Sequence, residues 1–215
     1  MTLSTEDLRN SILESLERIQ FVKYEDMPNI DLYMDQVTTF MEEHLQSATR
    51  NPGEDKILTK TMINNYAKND LLPPPVKKKY SREHMMVLIL IYYLKGILSF
   101  NDIQDILQPI TSKYFDVKDS YNLEDIYKEL FSFQDSQKEY IKKDIEEKLN
   151  RAKTSFTDAP KEDADFFELL ATITLLGFDV YVKRLLIEKL IDNYRCANQP
   201  DTKKKGKSKE KGKEE

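Results

Sequence analysis

The sequence predicts an all-α fold, and three features of its composition and pattern lead to that prediction. The 215 residues include five glycines, which is few for a chain built from strands and tight turns. Leucine, lysine, glutamate, isoleucine and aspartate dominate, and apolar residues recur at helical spacing. With 40% hydrophobic residues, the chain can bury a sizeable core and needs no disulfide or metal to fold.

The composition also indicates where the protein resides. The single cysteine, Cys196, excludes an internal disulfide framework and is typical of a reducing cytosol. The first residues lack the basic, apolar and small-residue segments of a signal peptide. The longest apolar run, residues 85–94, is too short to cross a bilayer. We therefore expect a cytoplasmic protein with no membrane segment.

The N-terminal third of the chain predicts three helices. Residues 5–20 carry an apolar stripe, and we assign residues 1–23 to an N-terminal amphipathic helix. A second helix is predicted over residues 31–46, with these side chains inward: Tyr33, Val37, Phe40, Met41 and Leu45. Thr59 is a predicted cap for a third helix that ends near Asp70, before three prolines that cannot continue it.

The following segment predicts an arm and two further helices. Residues 73–75 are all proline, which predicts a stiff, extended arm that carries the lysines behind it. Ser81 then caps a helix over residues 82–97 that is apolar on nearly all sides and should be central. A Ser99 cap predicts a short helix through Leu107, which Pro109 should stop.

The C-terminal half predicts long helices. Residues 112–121 are a predicted connector. Asn122 is a predicted cap for a long helix, and residues 134–138 interrupt the apolar stripe of that helix. Residues 163–194 are predicted to form another helix with a break or kink at Gly177. These helices predict a hairpin or bundle whose excess apolar surface closes a core or a dimer. The predicted domains are therefore residues 24–111 and 112–197, and residues 198–215 are a predicted disordered, lysine-rich tail.

Positive charge is concentrated between residues 56 and 84. This segment has seven basic and two acidic residues, although the whole chain has a net charge of −5. On the predicted helix after Thr59, one face presents Thr61, Asn64, Asn65 and Lys68, with Lys60 beside it. Asparagine can pair with adenine, threonine can touch a thymine methyl, and lysine can reach guanine or phosphate, so this face suits a DNA major groove. An ordinary solvated helix face is the competing interpretation.

Four further basic residues lie where they can contact phosphate. They are Lys77, Lys78, Lys79 and Arg82. Contacts of this kind set the register of a protein on DNA without reading its sequence.

Three segments resemble the winged helix-turn-helix of MerR-type regulators: TKTMINNYAKNDLLPPP, KKKYSREH and LSFNDIQDIL. In that family a capped recognition helix ends in a tyrosine and a Gly-Leu-Leu-like stop, a basic wing follows, and a tyrosine-serine pair opens the next helix. The matching positions here are Thr59, Ile63, Tyr66, Leu71, Leu72, Tyr80, Ser81 and Ser99. Asn64 stands where the family usually has arginine, Asp70 replaces the glycine, and a Pro-Val-Lys connection shortens the wing.

A second resemblance covers most of residues 24–195. There the chain is similar to an uncharacterised Gram-positive bacterial family described as containing a MerR-like helix-turn-helix. That family has no assigned activity, so the resemblance implies a fold, namely a MerR-like helix-turn-helix domain over residues 24–111 followed by a C-terminal helical hairpin or bundle.

Enzymes and metal proteins are disfavoured by the residues present. His44 and His84 are the only histidines, and Cys196 lies far from both in the sequence, so no Cys/His metal-ligand spacing can be assembled. Acidic pairs are abundant, but neither a histidine nor a glycine-rich loop accompanies them. We expect no enzyme activity, no catalytic residues, no metal and no cofactor.

Three functional hypotheses remain. The first is a transcriptional regulator that binds double-stranded DNA through a recognition helix at about residues 59–70 and forms a homodimer through its C-terminal helices. The second is a non-enzymatic protein-interaction module on a helix-turn-helix scaffold. A third and weaker hypothesis adds a small-molecule effector bound in the C-terminal bundle.

Overall fold

The protein is mostly helical, which confirms the coarse fold-class prediction. The structure is a computed structural model that describes residues 5–19 and 21–198. Its helices are α1 (Thr5–Arg18), α2 (Met34–Leu45), α3 (Lys60–Lys68), α4 (Arg82–Leu94), α5 (Phe100–Tyr114), α6 (Leu123–Ser132), α7 (Gln134–Lys153) and α8 (Ala164–Asn198). Two short strands, β1 (Leu32–Tyr33) and β2 (Lys79–Tyr80), pair antiparallel.

Three helices begin at the caps that the sequence predicted. The Thr59 hydroxyl accepts a hydrogen bond from the backbone N–H of Met62 at 3.2 Å and starts α3. Ser99 and Asn122 start α5 and α6 in the same way. A cap satisfies backbone N–H groups that the first helical turn leaves unpaired, so these signals are local and readable from sequence.

Helix α4 lies at the centre of the core. Its buried residues are His84, Met85, Met86, Val87, Leu88, Ile89 and Ile91. Helices α5 and α6 pack against it, and apolar side chains from α2 and α3 join the same cluster. The cluster continues past residue 111, because Leu123 and Tyr127 of α6 are fully buried in it. The Tyr127 hydroxyl also donates a hydrogen bond to the Val22 carbonyl at 2.6 Å.

Several element boundaries differ from the predictions. Helix α5 does not stop at Pro109 but continues to Tyr114. Proline removes one backbone hydrogen bond, and here Leu107 and Ile110 on either side of it pack on the core and hold the helix. The helix predicted after Asn122 is two helices, which meet at Phe133. Helix α8 does not end at Gly177.

The short sheet corrects the predicted orientation of Tyr33. In the register of the two strands, Leu32 faces Tyr80 and Tyr33 faces Lys79. Side chains alternate along a strand, so Leu32 is buried whereas Tyr33 is 55% exposed. Helix α2 begins only at Met34, and Tyr33 is therefore not part of its inward face.

Helices α7 and α8 form a hairpin, with one charged contact between the two helices and others that join the hairpin to α1 and α5. Lys148 of α7 reaches Asp179 of α8 at 2.8 Å, and Lys138 of α7 reaches Glu17 of α1 at 2.9 Å. Near the end of α8, Arg195 bonds Asp102 of α5 at 2.6 Å and also contacts Asp105. The C-terminal hairpin thus contacts α1 through α7 and α5 through α8.

Two further predictions concern the C-terminal tail and the absence of a membrane segment. The predicted tail, residues 198–215, lies outside the described residues except for Asn198, which ends α8. Within residues 5–19 and 21–198, no helix combines the length and apolar character that a membrane crossing requires.

His84 caps α4 from the inside of the protein. It is 2% exposed, and its Nδ1 accepts a hydrogen bond from the backbone N–H of Ser81 at 3.0 Å. Burial lowers the pKa of His84 below its ordinary value of 6.5, and the carbonyls of Pro74 and Pro73 oppose that shift only in part. The neutral ring is the form that can accept the Ser81 hydrogen bond.

We predict that His84 makes the protein less stable at mildly acidic pH. Because the pKa is lower in the folded state, protons bind the unfolded chain preferentially, so stability is complete above about pH 6.5 and falls as the pH drops below it. The variant His84→Gln keeps a side-chain oxygen that can accept from Ser81 and removes the titration. Urea unfolding midpoints at pH 5.5 and 7.5 should differ more for the natural protein than for the variant; equal differences would contradict the prediction.

Candidate nucleic-acid interface

Helix α3 turns its polar face outward because its apolar face is packed into the core. Ile63 is fully buried and Tyr66 is 9% exposed. The opposite face carries the residues predicted to contact bases, all of which are exposed: Thr61, Asn64, Asn65 and Lys68. An α-helix with its side chains is about 10–12 Å across, which matches the width of about 12 Å of a B-DNA major groove, and α3 has nine residues to lay along it.

The end of α3 is fixed by a residue in the left-handed conformation. Asp70 has a φ of 56°, and the backbone N–H of Leu71 then reaches the Tyr66 carbonyl at 2.9 Å. Aspartate tolerates this conformation better than most residues, so it can replace the glycine expected from the family resemblance. Leu71 and Leu72 are both 1% exposed and anchor the end of α3 in the core.

The lysines after the prolines form a tight turn and not the predicted extended arm. The backbone N–H of Val76 donates to the Lys79 carbonyl and that of Lys79 donates to the Val76 carbonyl, with nitrogen-to-oxygen distances of 3.1 and 2.9 Å. Lys77 and Lys78 between them have φ values of 50° and 64°. Two central residues with positive φ are the mark of a type I′ hairpin turn. We call residues 76–79 the lysine turn.

The lysine turn has an unfavourable sequence for its conformation. Type I′ turns favour Asn-Gly because a Cβ atom disfavours positive φ, at a cost of about 1–2 kcal/mol per residue. Here both central positions are lysines with exposed side chains. Strain of this kind is retained only where the surrounding structure enforces it, and it is commonest at functional sites.

The start of α3 and the lysine turn both contact the segment at the N-terminus of α2. Lys60, the first residue of α3, forms an ion pair with Asp35 of α2. The ammonium group of Lys79 lies 5.2 Å from the ring centroid of Tyr33, two residues before Asp35. Lys60 and Lys79 therefore flank the same short segment, and we define the candidate interface as the polar face of α3 together with the lysine turn.

Arg82 does not belong to this interface. Its guanidinium donates hydrogen bonds to the Met27 carbonyl at 2.9 Å and to the Pro28 carbonyl at 3.3 Å, and it lies over the Tyr24 ring at 4.5 Å. These contacts hold the segment before β1 against the start of α4. The prediction of a phosphate-contacting Arg82 missed them because the partners lie more than fifty residues away in sequence.

The interface keeps most of its positive charge free. Among the described residues, Lys68, Lys77 and Lys78 take part in no ion pair. Lys60 is paired, but its side chain is 59% exposed and that of Asp35 is 76% exposed. Exposed pairs are worth about 0–1 kcal/mol, so an incoming phosphate can compete with Asp35.

Two exposed residues, Val76 in the interface and Tyr33 beside it, were missed by sequence reasoning. Tyr33 is assigned to the inner face of a helix by its spacing, and Val76 gives no signal by itself, yet Val76 is 69% exposed beside the lysines. The alternation of Leu32 and Tyr33 is compatible with a strand, but two residues are too few to distinguish a strand from a helix.

In the part of the chain that the structure describes, no cluster of three or more His, Cys, Asp or Glu side chains could hold a metal ion.

Comparison with known families assigns the chain. A family model described as a domain of unknown function, DUF1836, matches residues 22–130, which is half of the chain. The chain belongs to the DUF1836 family. No curated protein and no solved structure matched it. The DUF1836 segment contains α2 to α5 and most of α6, and so it includes the whole candidate interface and the buried face of α4.

We predict that the lysine turn is less stable than a turn of ordinary sequence. Replacing Lys77→Asn together with Lys78→Gly should raise the free energy of unfolding by about 1 kcal/mol, because Asn-Gly relieves the positive-φ strain. Urea unfolding measures the difference. The control Lys143→Gln with Lys153→Gln removes the same charge from exposed positions of α7 and should change stability little. A destabilised turn variant would contradict the assignment of strain.

Proposed function

We propose that this DUF1836 protein is a cytoplasmic transcriptional regulator that binds double-stranded DNA through a MerR-like helix-turn-helix. In this proposal α3 is the recognition helix and the lysine turn takes the place of the wing. The observation that carries the proposal is the exposed polar face of α3, whose first residue, Lys60, contacts the start of α2 as the strained lysine turn does through Lys79.

The proposed roles follow from side-chain chemistry. Asn64 and Asn65 each offer one donor group and one acceptor group, the pattern that adenine presents in the major groove. Thr61 and Lys68 lie on the same face, one turn before and after. Lys60, Lys77, Lys78 and Lys79 would contact phosphates on either side of the groove, and such contacts supply most of the non-specific affinity for DNA.

Dimerisation is proposed because α8 leaves much of its apolar surface uncovered. Its exposed apolar side chains include Phe166, Ile173, Phe178, Val180, Tyr181, Leu185, Leu186 and Leu190. Monomeric soluble proteins rarely expose an apolar surface this extended, and most oligomers are twofold symmetric. A twofold dimer would present two copies of α3 to two half-sites.

A protein-interaction module is the second candidate function. The connection between α2 and α3, residues 46–59, is several times longer than the three or four residues of a usual helix-turn-helix. The uncovered surface of α8 can also receive a different protein. In this alternative the helix-turn-helix scaffold serves as a support, and substitutions in α3 and the lysine turn leave partner binding intact.

We predict that α3 reads bases and that the lysine turn contacts phosphate. Selection of bound fragments from genomic DNA should enrich one motif, and Asn64→Ala with Asn65→Ala should lose about 1–3 kcal/mol for each lost base contact on that motif only. Lys77→Asn with Lys78→Gly should weaken binding to all sequences and lower the salt slope by about two. For six phosphates contacted, affinity should fall about a thousandfold between 50 and 200 mM salt.

The controls separate the two candidate functions. Alanine has a better helix propensity than asparagine, so a loss of binding in the asparagine variant cannot arise from unfolding of α3. The α7 variant Lys143→Gln with Lys153→Gln should bind DNA as the natural protein does. A flat salt response, or enrichment of no motif, would refute DNA reading and favour the interaction module.

We also predict that α8 forms the dimer contact. Phe178→Glu with Leu185→Glu places two carboxylates on positions that are 65% and 52% exposed, so the monomer fold should persist while the dimer dissociates. Sedimentation velocity measures the change in mass. Lys143→Glu changes the net charge by the same amount on α7 and should leave the dimer intact. A natural protein that sediments as a monomer at micromolar concentration would contradict the prediction.

A further inference from the structure

A cavity of about 490 Å³ lies where α4, α5 and the junction between α6 and α7 meet. The walls include Leu90, Tyr93 and Leu94 from α4 and Ile106, Leu107 and Ile110 from α5. Sites for small organic molecules usually measure about 300–1,000 Å³. Leu130 and Phe133 at its edge are 48% and 54% exposed, so a ligand has a route of entry.

The cavity wall determines what chemistry it can accept. No lining residue is Asp, Glu, Lys, Arg or His, and the polar side chains apart from Tyr93 are two glutamines from the first turn of α7, Gln134 and Gln137. A charged ligand would lose its hydration with no counter-charge in return, which is strongly unfavourable. The cavity therefore fits an uncharged, largely apolar molecule.

One polar atom on a lining residue lacks a hydrogen-bond partner, and a second has only a weak contact. Within the described residues, Nε2 of Gln134 is buried without a hydrogen bond, whereas the buried Tyr93 hydroxyl makes no hydrogen bond of good geometry but lies close to the backbone of Val22. Burial also raises the pKa of Tyr93 to about 12, so the hydroxyl remains a donor at physiological pH. A buried donor without a partner costs about 1–3 kcal/mol, and native proteins retain few of them without a reason.

We propose that this cavity binds a neutral aromatic or aliphatic molecule with one hydrogen-bonding oxygen, and that the Gln134 side chain turns its amide nitrogen, which has no accessible surface in the free protein, toward that oxygen and donates a hydrogen bond to it. The ring systems of Phe21, Tyr93 and Phe131 line the cavity and can pack against an aromatic ligand. None of the lining residues comes from α8. The site therefore differs from an effector site formed by residues 163–194, although its α6 and α7 residues belong to the predicted C-terminal domain, and it does not depend on DNA binding.

The test uses two naphthalene probes with the natural full chain. Prodan is uncharged and carries one ketone oxygen, whereas 8-anilinonaphthalene-1-sulfonate carries a permanent negative charge. Fluorescence titration should show saturable binding of one prodan per chain, and the sulfonate should bind this site at least about tenfold more weakly because of its uncompensated charge. Equal affinity for both probes, or no saturable prodan binding, would overturn the proposal.

Three variants locate the bound probe. Leu130→Trp fills the half-exposed edge of the cavity and should reduce prodan affinity at least about tenfold, whereas Phe178→Glu with Leu185→Glu on α8 should leave it unchanged. Gln134→Met removes the donor, so prodan should bind up to about tenfold more weakly and its emission should shift to shorter wavelength. The same variant should raise the melting temperature of the free protein, a readout that needs no ligand. An unchanged prodan affinity in Leu130→Trp, or loss of prodan binding in the α8 variant, would refute the site.

Discussion

Helix α4 is apolar on nearly every side, so other elements must pack around it to bury its side chains, and this requirement constrains the rest of the structure. Burying one Leu, Ile or Met side chain contributes about 1.5–3 kcal/mol, and α4 buries six apolar residues between Met85 and Ile91. Cover comes from α5 and α6, while the segment before β1 is held at the start of α4 by Arg82. Helix α6 therefore belongs to the same core as the helices before it, and the DUF1836 match accordingly extends to residue 130.

The same helix links the candidate interface to the cavity. Its N-terminus follows directly on the lysine turn and β2, and its C-terminal half supplies Tyr93 and Leu94 to the cavity wall. Helix α5 makes a similar link, because Gln104 donates a hydrogen bond to the Asn69 carbonyl at the end of α3 while Ile106 lines the cavity. Helices α4 and α5 thus each contact both the candidate interface and the cavity.

Features of the fold and of the candidate interface could be predicted from the sequence where the residues that form them are close together along the chain. Thr59, Ser99 and Asn122 were predictable as caps because each bonds a backbone group two or three residues away. The outward face of α3 followed from helical spacing alone. The lysine turn was not predictable, since Lys-Lys carries none of the Asn or Gly that marks a type I′ turn, and its geometry is imposed by the pairing of β2 with β1. The helix end predicted at Pro109 was wrong, and the bonds of Arg82 to the Met27 and Pro28 carbonyls were not foreseen, because tertiary contacts outweighed the local pattern.

The Arg195 contacts bear on how this family segment can exist in isolation. Arg195 lies beyond the matched residues, yet it supplies the positive charge beside Asp102 and Asp105 on α5, and its neighbour Ile191 is 4% exposed in the common core. A fragment cut after residue 130 would leave two carboxylates side by side without a counterion and would uncover the apolar surface beneath Ile191. Such a fragment should therefore be less stable than the full chain unless another cation and another apolar side chain take the places of Arg195 and Ile191.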